Sequence, residues 1–81
     1  MKEQEAIEIM QRERLTRVNW YDENNLKENE VGIRKICDGW EVYITGERAS
    51  VVNGTESKFS NSDEAYDALI KKAKYLQKLY G

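Results

Sequence analysis

The 81-residue chain has fifteen carboxylates, thirteen Lys and Arg, one thiol and no imidazole with which to do chemistry. The missing His is the most restrictive fact. Without it the chain cannot build Ser-His-Asp or Cys-His nucleophilic machinery, a His-ligated zinc, or an imidazole switch near neutral pH. Two carboxylates can do glycoside chemistry only when a cleft holds them at a defined separation, and a chain this short has little room for one. The acids are densest in "DENNLKENE", Asp22 to Glu30, where four acids against one Lys leave a local charge of −3. That segment reads as a solvated loop or as a docking surface for a basic partner. Cys37 has no His and no evident cation beside it to lower its pKa, so a buried structural thiol is expected there. No phosphate-cradling Gly loop and no metal-ligand spacing occurs. Neither a cofactor, a metal nor an enzymatic activity is expected.

Lys71, Lys72, Lys74 and Lys78 are the remaining charged cluster. Their "KKAK" run resembles the phosphate-binding lysines of double-stranded RNA-binding domains, which share the order helix, three strands, helix. An RNA-binding module of that kind is the alternative function. Against it, the last helix starts with Asp63, Glu64 and Asp67, which repel phosphate, and the lysines lie in its middle and final turns, where they complement the negative helix end. The net charge of −2 and a pI near 5.2 also argue against a broad nucleic-acid or anionic-membrane footprint.

Periodicity supplies the elements that would hold these groups. Lys2 to about Arg14 carries an apolar stripe of Ala6, Ile7, Ile9 and Met10 at helical spacing. From Arg17 the period becomes two, with Val18 and Trp20 against Arg17, Asn19 and Tyr21, as in a strand. Val31 to Cys37 and Trp40 to Thr45 are two further strands. Asp38-Gly39 between them predicts a two-residue type I′ hairpin turn. Closing there pairs Cys37 with Trp40, Lys35 with Val42 and Ile33 with Ile44 on the core face, and Ile36 with Glu41 and Arg34 with Tyr43 on the other. Lys35 is the misfit, its stem expected to be buried near a sheet edge with the ammonium reaching water. A turn through Gly46-Glu47-Arg48 leads to a partner strand at Ala49 to Val52, a second I′ turn at Asn53-Gly54 and a short edge strand ending near Phe59. Asn61, with Glu64 at N3, or else Ser60 or Ser62, caps a last helix that runs to about Tyr80.

The expected fold is one α+β domain: helix, three- or four-stranded antiparallel sheet, helix, with both helices on one sheet face. Trp20 and Trp40 anchor the helices. The other face is then open to solvent with Tyr21, Arg34, Ile36, Glu41 and Tyr43, the composition either of an interface centre or of an ordinary wet sheet face. On this reading Tyr43 and Glu41 could be cut back to Ala with little loss of stability. The single Cys excludes an internal disulfide and points to a reducing compartment. No long apolar run follows Met1, so neither a secretion signal nor a membrane span is expected, and the expected home is the cytoplasm.

One run goes further. Trp40-Glu41-Val42-Tyr43, then Thr45-Gly46-Glu47-Arg48-Ala49, resembles the immunity protein 59 family of bacterial polymorphic-toxin systems. Glu30-Val31-Gly32-Ile33 upstream, Phe59 and the Asp63-Glu64-Ala65 helix start are also similar. Together they span Glu30 to about Ile70, and Gly46 departs from a position often polar in the family. The resemblance implies a non-enzymatic cytoplasmic antitoxin that binds the C-terminal domain of a cognate toxin and occludes it. An acidic immunity protein suits a basic nuclease, since complementary charge speeds the encounter. The expected contacts are Tyr21, Asp22, Glu23, Glu28, Glu30, Arg34, Ile36, Glu41, Tyr43 and Glu47, on a monomer or weak homodimer.

Overall fold

A computed structural model places the elements in the order α1 (Glu3–Arg12), β1 (Val18–Trp20), β2 (Val31–Ile36), β3 (Gly39–Ile44), β4 (Ser57–Phe59) and α2 (Ser62–Tyr80), and describes residues 1–22, 24–52 and 54–80. Glu3 and Glu5 sit in the first turn of α1 and Arg12 in its last, each matching the sign of the helix end. The helix stops without a glycine. Arg14 takes a left-handed φ of 53°, Leu15 N–H bonds Met10 O at 2.9 Å and Arg14 N–H bonds Gln11 O at 3.4 Å. This paired pattern satisfies the last carbonyls and turns Leu15 into the core. At α2 the expected cap forms, with Asn61 Oδ1 accepting from Glu64 N–H at 2.9 Å. The α2 face made of Ala65, Tyr66, Leu69, Ile70, Ala73 and Leu76 is buried. It lies on β2, β3 and β4, while α1 packs beside it and adds Ala6 and Ile9 to the same core.

The sheet order is β1-β2-β3-β4, and it is mixed rather than wholly antiparallel. β2 pairs antiparallel with β3 and β3 with β4, but β1 runs parallel to β2, with Val18 opposite Val31 and Trp20 opposite Ile33. A three-residue strand is only about 10 Å long. The ten residues between Trp20 and Val31 can therefore bring the chain back to its start without a crossover helix. Alternating hydrophobicity carries no direction, which is why the sequence expectation failed here.

The β2–β3 hairpin is displaced from the expected register. Ile36 pairs with Gly39, Lys35 with Trp40, Arg34 with Glu41, Ile33 with Val42, Gly32 with Tyr43 and Val31 with Ile44. Cys37 and Asp38 form the turn, and neither has positive φ. Gly39, at φ +152°, is required for another reason: a Cβ there would overlap the carbonyl of Phe59 on β4. Since each pair sum moves by two, every side chain keeps its expected face. Two consequences differ from expectation. Cys37 is exposed at the hairpin tip, and Lys35 is exposed with Nζ 3.8 Å from the centroid of the Trp40 ring.

The second sheet face is not open. Tyr43 is 0% exposed and heads the fully buried side chains, while Glu41 and Asn19, on the same face, are each 5% exposed. The parallel β1–β2 return explains the closure. With helices on the first face, the returning segment crosses the second, and Asn19 and Thr45 both bond its carbonyls, at Asn25 and Lys27. Tyr43 fits because Gly32 opposite it has no side chain; a Cβ there would overlap the phenol ring. Arg34 stacks over that ring, 5.1 Å from its centroid, and pairs with the buried Glu41 carboxylate.

On the helix face, Trp20 stacks on Tyr66 at 5.3 Å, and the Tyr21 and Tyr66 hydroxyls meet at 2.6 Å. Burial, with the Tyr21 bond second, raises the Tyr66 pKa above the ordinary phenol range.

Tyr43→Ala is expected to cost about 3–5 kcal/mol, and Gly32→Ala about 1–3 kcal/mol. An unchanged urea midpoint for Tyr43→Ala would show the second face to be open after all. Folded Tyr66 holds its proton after the unfolded chain has lost it, so this group lowers stability as pH rises above about 10. Thermal melts between neutral pH and pH 11 should show a shallower alkaline decline for Tyr66→Phe than for the parent.

Candidate functional site

Thr45 joins the two segments that the sequence marks as functional. Its Oγ1 donates to Lys27 O at 2.6 Å and accepts from Glu30 N–H at 2.9 Å, and its own N–H donates to Glu30 O at 2.8 Å. These bonds hold the end of the acidic segment against the end of β3. One residue further, Asn29 N–H donates to Gly46 O at 3.1 Å. The turn after Gly46 is closed by its own backbone: Gly46 N–H to Ser50 O at 3.0 Å and Ala49 N–H to Gly46 O at 3.2 Å, with Ala49 at φ 56°. The Arg48 side chain is exposed and forms no hydrogen bond among the described residues, and Glu47 is likewise exposed. In place of the expected strand at Ala49 to Val52 there is only an isolated bridge from Thr45 to Val51.

Asn19 and Glu30 complete the interior of this site. Asn19 Nδ2 donates to Asn25 O at 3.2 Å and to Glu30 Oε1 at 3.1 Å, and its Oδ1 accepts from Asp22 N–H at 2.9 Å. Glu30 Oε1 also accepts from Lys27 N–H at 2.9 Å. Asn19 on β1 thus acts as the template on which the return segment folds, a role that alternating hydrophobicity did not reveal. Its signal was a buried polar residue between Val18 and Trp20, which must find partners.

The expected contact residues therefore separate. Asp22, Glu28 and Glu47 are exposed, and the bonds through Thr45 and Asn29 bring Glu28 and Glu47 to the same end of the molecule. Glu30 is 5% exposed and belongs to the interior network, a correction to its reading as a surface contact. Glu41 and Tyr43 are buried too: the Tyr43 ring lies over Gly32, and the Glu41 carboxylate pairs with Arg34, which covers that ring. Tyr21 is exposed, but it is not on the second face: β1 ends at Trp20, and φ 56° at Tyr21 breaks the alternation and sends its hydroxyl to Tyr66 on α2. Arg34 and Ile36 are half-buried, and they line a shallow groove of about 410 Å³ with Lys35, Cys37, Asp38 and Lys58. Glu23 lies outside the described residues.

The α2 lysines do not act as one patch. Lys72 Nζ donates to Thr55 O at 3.2 Å, with its pKa lowered by burial, and Lys74 pairs with Glu13 at 3.3 Å. Lys71 and Lys78 are exposed. At the helix start Asp63 pairs with Lys2 and Asp67 with the Met1 ammonium. Among the described residues, no group of three or more Cys, Asp or Glu is placed to hold a metal ion, and no helix is long and apolar enough to cross a membrane.

Comparison with known protein families, with curated proteins and with solved structures returns no match for this chain.

Thr45→Val keeps the shape of the side chain and leaves the buried Glu30 N–H without its acceptor. It should cost about 1–3 kcal/mol in urea unfolding, with faster hydrogen exchange at Glu30. Thr45→Ser should retain most of the stability. A larger loss in Thr45→Ser than in Thr45→Val would place the role of Thr45 in its methyl packing instead.

Proposed function

We propose that the chain is an immunity protein, which binds the C-terminal domain of a cognate bacterial toxin and occludes its functional surface in the cytoplasm of the producing cell. One observation carries this reading. The run Trp40 to Ala49 that resembles the immunity protein 59 family contains Thr45, the residue that fastens the Glu47-Arg48-Ala49 turn to the acidic segment. The most distinctive residues of the resemblance thus also bring exposed acids to one end.

The docking surface follows from exposure. Asp22, Glu28 and Glu47 are acidic and exposed, whereas Glu41, Tyr43 and Glu30 are interior and act by shaping the surface. An acidic end of this kind suits a basic toxin such as a nuclease, where complementary charge raises the association rate more than it adds to final affinity.

The experiment is co-expression with the toxin encoded by the adjacent upstream reading frame, followed by co-purification and calorimetry; a chain that neither binds that toxin nor protects cells from it is not its immunity protein. Given binding, the triple variant Asp22→Lys, Glu28→Lys, Glu47→Lys should lower the association rate by about tenfold or more and flatten its dependence on salt. An unchanged rate would move the docking surface elsewhere.

A further inference from the structure

β1 is a rim strand whose outer side is unpaired. Val31 N–H donates to Arg17 O at 3.0 Å and Tyr21 N–H to Ile33 O at 3.2 Å, so Arg17, Asn19 and Tyr21 turn their backbone groups towards β2. Successive residues of a strand point these groups to opposite sides, which leaves the N–H and C=O of Val18 and Trp20 facing outward. No described residue bonds them. The same rim borders an apolar groove. α1 packs against α2, and between α1 and Trp20 lies a groove of about 400 Å³ lined by Ile7, Met10, Gln11, Leu15 and Trp20. Ile7, Met10 and Trp20 are only half-buried. Charge is divided along the rim. A short turn joins the end of α1 to the start of β1, so Arg12 and Arg14 lie at the Val18 end. Asp22 follows the Trp20 end, and Glu3 lies there too, close enough for its charge to act on the Tyr66 hydroxyl that meets Tyr21. All four charged side chains are exposed.

We infer that the outer side of β1 is a self-complementary docking surface, on which a second copy of this chain lays its own β1 antiparallel across a two-fold axis at Asn19. A two-fold patch must match itself, and three features of the rim do. With Asn19 on the axis, Val18 of each copy lies opposite Trp20 of the other, and each such pair exchanges both backbone hydrogen bonds. Every outward group is then used. Residues directly opposite share a face, so Val18 and Trp20 bring apolar side chains to the helix face, where the groove lies. The antiparallel sense also sets the Arg14 end of each copy against the Asp22 end of the other, whereas a parallel copy would bring like charges together. Pairing stops after three residues because Tyr21, at φ 56°, leaves the strand. A contact this small gives a weak dimer, in the high micromolar range. None of this depends on the function proposed above.

The test is sedimentation velocity of the intact chain from micromolar to millimolar concentration, with hydrogen exchange read at Val18 and Trp20. The mass should rise towards that of a dimer, and these two amides should gain protection as it does. Val18→Pro removes an outward N–H that the β1–β2 ladder does not use, and should weaken the dimer about tenfold or more. Arg14→Glu and Asp22→Lys should each weaken self-association. Mixing those two variants should restore it, since both ends of the mixed pair are complementary. A monomer at millimolar concentration would overturn the inference. So would a dimer indifferent to these variants, or a mixture no tighter than either variant alone, because the contact then lies elsewhere. A monomer that binds a peptide of residues 17–21 would replace the second copy with an extended segment of another protein. If Val18→Pro fails to fold, the mixing experiment still decides the matter.

Discussion

The parallel pairing of β1 with β2 is the constraint on which the rest of this structure depends. A chain that leaves the end of one strand and enters the next in the same direction must travel back the length of the strand across a sheet face. Here α2 occupies one face, so the return crosses the other. That single topological fact turns Glu30 and Asn19 inward and brings the acidic segment beside the turn after Gly46. The crossing is held by polar groups. Asn19, Glu30 and Thr45 together give the return segment the bonds that a crossover helix would have satisfied within itself.

Much of the architecture was legible in the sequence, where local physics dominates. The α1 and α2 stripes, the Asn61 cap, the two central strands and the identity of their core face all follow from periodicity and capping. What was illegible concerns information that side-chain pattern does not contain. Strand direction has no periodic signature, so β1 read as one more antiparallel strand. The hairpin glycine was visible, but its cause was not: Gly39 yields space to the Phe59 carbonyl, which belongs to a strand twenty residues away. Reading it as half of a turn displaced the register and placed Cys37 inside.

The candidate site shows the same division. Composition marked the acidic segment and resemblance marked the run through Thr45, but neither indicated that one hydroxyl would connect them. Asn19 and Glu30 were hidden for complementary reasons. An Asn within a strand looks like a solvent-facing residue, and a Glu at the end of an acidic loop looks like part of that loop. Only the path of the return segment turns both inward and makes them partners.

The two edges of the sheet have a consequence of their own. β1 and β4 are three residues each, while the six-residue strands β2 and β3 lie between them, paired on both sides. An incoming strand would find only a short row of free backbone groups at either rim, and at β4 it would meet the exposed Lys58. Short charged rims are how sheet proteins avoid templating one another into aggregates. The long strands that could nucleate such growth are the ones this topology keeps inside, so edge-to-edge pairing between copies is limited to three residues at either rim.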